Sequence, residues 1–115
     1  MFLTMATPDL SFDDGPLHID FERRDVTLNA QPVELASQEY NLLASFVRDP
    51  GEVLPYERIV ELDAREGYRP VAAKYACLRL HRKLGFDDDR LWHGVIQHVP
   101  GVGYRYGIGR FPRYP

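Results

Sequence analysis

Three features of the sequence predict an α+β fold in which a small antiparallel sheet, three helices and a C-terminal hairpin share one core. The first third alternates apolar and polar residues with a period of two, and from Ser37 the period lengthens to that of amphipathic helices. After Gly85, two short strand-like runs flank the glycine turn PGVG. At 115 residues the chain fits one domain, because a single core commonly organises on the order of 100 to 150 residues.

The elements follow in order. LSF (10–12) precedes the turn residues DDGP, and LHIDF (17–21) sets Leu17, Ile19 and Phe21 on one face with His18 and Asp20 on the other. DVTL (25–28), the turn residues NAQ and then PVEL (32–35) continue the alternation and complete a small antiparallel sheet. From Ser37, the residues Tyr40, Leu43 and Val47, with Leu42 and Phe46, trace a helical stripe that DPG at 49–51 stops. EVLP allows a short strand or extended link. A second, short helix begins near Tyr56 with Ile59, Val60 and Leu62 as its apolar positions, and Gly67 with Pro70 closes it.

The third helix, Val71 to Leu84, carries Ala73, Cys77, Leu80 and Leu84 at spacings of four, three and four, which is one buried stripe. Its other side presents Lys74, Tyr75, Leu78, Arg79 and Arg82. Gly85 suits the helix cap, where left-handed backbone costs glycine little, and Arg82 with Lys83 opposes the helix dipole. FDDDRLWHG is a polar link with Trp92 as its anchor. VIQHV (95–99) and YRYG (104–107) form the hairpin, and RFPRYP is a proline-punctuated tail. These bounds predict an extension at 1–9, a domain at 10–107 and a tail at 108–115.

Hydrophobic residues make up 44% and charged residues 27% of the chain, and no uncharged apolar run approaches the roughly 20 residues that cross a bilayer. Residues 1–12 lack a basic region ahead of an apolar core, so a cytoplasmic protein without a membrane partner is expected. Cys77 is the only cysteine, which excludes an internal disulfide framework. The net charge of −3 conceals an uneven distribution: residues 1–52 sum to −7, from three Lys/Arg and ten Asp/Glu, and residues 53–115 sum to +4, from eleven and seven. The second half therefore has the means to present a cationic face to nucleic acid.

Little in the sequence points to catalysis or to a metal. Cys77 and His81 stand four apart, a spacing that can hold an ion, but Cys77 belongs to the apolar stripe and reads as a small hydrophobe. His18, His93 and His98 lie on separate segments, and Asp87, Asp88 and Asp89 lack calcium-loop spacing. No nucleophile sits in a catalytic motif, and no lysine follows the glycines at 101, 103 and 107 in phosphate-loop spacing. A non-enzymatic protein without cofactor or metal is expected.

Sheet, three helices and hairpin, with the third helix basic on its outer side, follow the logic of a winged helix-turn-helix. A helix about 10–12 Å across fits the major groove, and a hairpin beside it reaches the backbone or the minor groove. VELASQEYNLLASFVRDPGEVLPYERIV, LRLHRKLG and PGVGYRY resemble, in order and spacing over about residues 10–107, the C-terminal winged-helix domain of OmpR/PhoB-type response regulators. The resemblance implies an N-terminal antiparallel sheet of four strands, a third helix in the major groove and a hairpin wing. It also implies sequence-specific duplex DNA binding in transcriptional regulation.

By position, Lys74, Tyr75, Leu78 and Arg79 are then expected to face bases, and His81, Arg82 and Arg105 to lie near phosphates or on the wing. The partners implied are duplex DNA, a second copy on an adjacent half-site, and RNA polymerase or another regulatory protein. The sequence departs from the pattern at Ala36, where threonine is usual, so Ser37 is expected to cap the first helix one residue later. It also departs at Val71 and Pro100, where arginine is common, and at Leu78. The length leaves no room for a receiver domain, so an excised domain or an orphan regulator is expected. The alternative is a winged-helix adaptor that binds protein through Tyr75 and Leu78 and has weak or no affinity for DNA.

Overall fold

A computed structural model describes residues 10–63, 70–86 and 94–111, the side chains of residues 70 and 71 excepted. The Trp92 anchor, the Asp87–Asp89 link, the Gly67 breaker, the extension 1–9, the end of the tail and the Val71 side chain lie outside the described residues.

Strands β1 (Ser11–Asp14), β2 (Leu17–Asp20), β3 (Asp25–Leu28) and β4 (Gln31–Pro32) form an antiparallel sheet in sequential order. The alternation works as expected: Leu17 and Ile19 are buried, while His18 is exposed and its Nδ1 lies 2.6 Å from Oδ1 of Asp13, its cross-strand partner. Two-residue turns set the register. Gly15, at φ +60°, opens the first, and Asn29 and Ala30, at φ +53° and +66°, make the turn between β3 and β4. Between β2 and β3, Asp20 Oδ1 accepts the N–H groups of Glu22 and Arg23 at 3.0 and 3.1 Å.

The strand expected over 32–35 ends at Pro32. Proline offers no ladder N–H, and after Val33 donates its N–H to Val26 O the chain leaves the sheet edge to begin the first helix.

Helix α1 spans Ser37–Arg48. Its N-cap is Ala36 rather than the expected Ser37. Alanine has no oxygen to accept a helix N–H, so only the reciprocal half of a capping box forms: Glu39 Oε1 accepts the Ala36 N–H at 2.9 Å. That buried carboxylate also takes Lys83 Nζ at 3.1 Å, tying the start of α1 to the end of the third helix.

Strand β5 (Leu54–Pro55), helix α2 (Tyr56–Asp63), helix α3 (Pro70–Lys83), and strands β6 (Ile96–Val99) and β7 (Gly103–Tyr106) follow. The extended link is thus a true strand: β5 pairs with β7, and the hairpin becomes a three-stranded sheet of order β5-β7-β6. Gly85 caps α3 at φ +96°, with Gly85 N–H donated to Arg82 O at 3.0 Å and Phe86 N–H to His81 O at 3.0 Å. This is a Schellman motif.

Leu17 and Ile19 of the first sheet, Leu43 and Phe46 of α1, Ile59 of α2, Leu80 and Leu84 of α3 and Ile96 of β6 form one buried core. Tyr106 joins the two sheets: its hydroxyl donates to Asp14 Oδ2 at 2.8 Å, and Gly109 N–H reaches Asp14 Oδ1 at 3.0 Å.

Candidate nucleic-acid interface

The outer face of α3 is narrower than its sequence suggests. Ala73, Cys77, Leu80 and Leu84 are buried as predicted, but so are Ala76, Leu78 and His81. The wider apolar arc has a simple cause, since α3 packs against both α1 and α2 while the β6 end covers its last turns.

Two expected contact residues are therefore corrected. Leu78 is 6% exposed and belongs to the core, so it presents nothing to bases or to a protein partner. His81 is 1% exposed, its Nε2 accepts the Ile96 N–H at 3.3 Å and its ring stacks on Phe86 at 4.5 Å. It joins α3 to the hairpin rather than lying near phosphate. Gly94 makes that approach possible, because a Cβ there would overlap the His81 ring.

Arg79 is also placed differently from the expectation that it faces bases. Its Nη2 lies 3.0 Å from both carboxylate oxygens of Asp63, whose side chain is nearly buried, and a third of the Arg79 side chain (33%) stays exposed. A carboxylate withdrawn from water needs an opposite charge, so Arg79 is drawn toward α2. Nearby Cys77 has its thiol pushed well up by burial and, secondarily, by the Asp63 charge, so it is an inert core thiol.

The residues left outward on α3 are Lys74, Tyr75, Arg82 and Lys83, with Tyr75 at 54% exposure. Lys83 is engaged by Glu39 and by Glu34 O at 3.1 and 3.2 Å. On β7, Arg105 is exposed and its Nε donates to Gln97 Oε1 at 3.1 Å, which sets its guanidinium along the strand pair.

The tip end of the hairpin is braced by residues that sequence reasoning missed. Tyr56, the first residue of α2, places its hydroxyl 2.6 Å from His98 Nε2, and His98 stacks on Tyr104 at 4.7 Å. Tyr104 is buried and its phenol is pushed well above its ordinary pKa, first by that burial. No local signal marks Tyr56, whose partner stands 42 positions away. Among the described residues no group of three or more His, Cys, Asp or Glu side chains is arranged to hold a metal ion.

No family model matches the chain. It is 34% identical over 99 residues to the transcriptional regulatory protein CusR of Escherichia coli, covering 81% of this chain and 40% of CusR. The chain thus spans about two fifths of the length of the curated relatives it matches. Among solved structures, the response regulator DrrB of Thermotoga maritima, described as an OmpR/PhoB homologue, superposes with a TM-score of 0.72 at 23% identity, covering 85% of this chain and 44% of DrrB. The C-terminal effector domain of BfmR from Acinetobacter baumannii gives 0.69 at 26% identity, covering 91% and 96%. The DNA-binding domain of Klebsiella pneumoniae RstA, solved in complex with the RstA box, gives 0.70 at 22%, covering 84% and 96%.

Proposed function

Because the chain belongs to the OmpR/PhoB type of winged-helix effector domains, we propose that it binds duplex DNA sequence-specifically as a transcriptional regulator. In this reading, α3 enters the major groove and the hairpin 95–107 lies alongside as the wing. The observation that carries it is the division of α3 into a deeply buried arc and an outer face that keeps Lys74, Tyr75 and Arg82 in solvent. Lys74 and Tyr75 then meet base edges. Arg82 and Arg105 meet phosphates, and Arg79 orients α3 through Asp63. RstA, which shares the fold, was solved on its DNA box. Two copies on adjacent half-sites, in a cytoplasmic setting and with polymerase or a regulatory protein as further partner, complete the proposal.

Selection from random duplexes at two salt concentrations tests it. We expect an enriched motif, repeated at a spacing near one helical turn of about 10 base pairs. Lys74→Ala and Arg82→Ala, both at exposed positions, should weaken binding, and the phosphate contact at Arg82 should account for roughly one unit of the logarithmic salt slope. Absence of an enriched motif, together with no retention on DNA at low salt, would overturn the reading. The adaptor alternative has lost half of its apolar patch, because Leu78 lies in the core.

A further inference from the structure

The tip of the hairpin supports an inference that rests on this DNA-binding reading and goes beyond it. Its sequence, Val99-Pro100-Gly101-Val102-Gly103, carries no charged side chain. Its backbone donors are already committed. Pro100 has no N–H, Gly101 donates its N–H to Tyr56 Oη at 3.2 Å, and Val102 donates its N–H to Val99 O at 3.0 Å. Tyr56 holds the tip a second time, giving its own N–H to Val102 O at 3.2 Å. Behind the tip, Gly103 runs so close to β5 that a Cβ would overlap the Leu54 carbonyl.

Glycine-rich turns grip phosphate through unspent backbone N–H groups. Here Gly101 and Val102 have used theirs, and no cation replaces them. What the tip turns outward is apolar: Pro100 is exposed and Val102 is 49% exposed, on a loop braced from two sides.

We propose that the wing tip enters the minor groove as a stiff apolar wedge, with Val102 as its contact residue, and thereby selects A·T pairs beneath it. The minor groove is about 6 Å wide, and its floor carries only acceptors at A·T pairs, whereas G·C adds the exocyclic amino donor of guanine. The Val102 side chain pressed onto that donor strips its water and offers it no acceptor, so a G·C pair there should weaken binding on the order of tenfold. Phosphate binding is left to Arg105 and α3.

Fluorescence-anisotropy titration of the whole chain tests the wedge on a duplex recovered by the selection above, with the pairs under the wing located by hydroxyl-radical footprinting. Those pairs are replaced by G·C, or by inosine·C, which lacks the 2-amino group and keeps guanine's major-groove acceptors. The expected result is a loss with G·C that inosine·C restores. Val102→Ala should weaken binding about fivefold at unchanged salt slope and reduce the G·C penalty. Arg105→Ala should lower the slope by about one and keep that penalty. Equal affinity for G·C and inosine·C, or a folded Val102→Ala protein with wild-type affinity and discrimination, would overturn the wedge. Failure of the wild-type chain to bind any duplex would instead overturn the DNA-binding reading beneath it.

Discussion

Asp63 is a carboxylate at the end of a short helix with almost no access to water, and Arg79 supplies a countercharge that makes its burial tolerable. Arg79→Ala should therefore lower stability by about 3 kcal/mol. In a double-mutant cycle, Asp63→Ala combined with Arg79→Ala should cost clearly less than the sum of the single changes. Urea denaturation reads both quantities, and additive losses would exclude the coupling. A loss of DNA affinity in Arg79→Ala then has to be compared with the folded fraction before it is assigned to base contact. A second residue under strain is Ala30, whose φ of +66° is left-handed. That conformation costs an L-residue about 1–2 kcal/mol, and glycine's greater freedom in the unfolded chain takes back about 0.4–1. Ala30→Gly should stabilise the protein by about 0.5 kcal/mol, and a lower melting temperature would count against this account of the turn.

At the scale of elements, the hairpin depends on a backbone approach that only glycine permits. Gly103→Ala should push β7 from β5, cost about 2 kcal/mol or more and speed hydrogen exchange at the Gly101 and Val102 amides. Gly101→Ala is the contrasting change, because open space surrounds the site and only its φ of +78° is unfavourable. It should cost about 1 kcal/mol and leave β5 paired, so equal exchange profiles for the two variants would refute the distinction. Most elements were legible because their periodicities are local: the four apolar positions named on α3 are all buried, and β3 has the expected bounds. β4 was overextended because PVEL alternates well, yet an edge strand next to a helix start has only one neighbour to pair with.

For the molecule as a whole, burial holds acidic groups protonated, among them the thiol of Cys77 and the phenols of Tyr104 and Tyr106, the last also bonded to Asp14. Each folded pKa lies above its ordinary value of 9.0 for Cys77 and 10.0 for the tyrosines. Above those values the unfolded chain releases protons that the folded chain keeps, so stability must fall as pH rises. Each group contributes a slope of about 1.4 kcal/mol per pH unit. The urea midpoint should hold level near neutrality and drop above about pH 9–10, and Tyr104→Phe should make that drop shallower by one proton. A midpoint that stays level to about pH 11 would contradict the burial of these groups.

By itself, the sequence determined the α+β class, the order of the elements, the main apolar stripe of α3 and the identity of most of its outward cations, because these depend on periodicity and turn chemistry within a few residues. Tertiary structure decided which face residues remain outside. Leu78 and His81 went into the core and Arg79 went to Asp63, because α3 is packed by α1, α2 and the hairpin together, and the arc that three neighbours cover cannot be read from one helix's spacing. The Tyr56 brace on the wing belongs to the same class, since contacts between residues more than forty positions apart exist only once the core has brought them together.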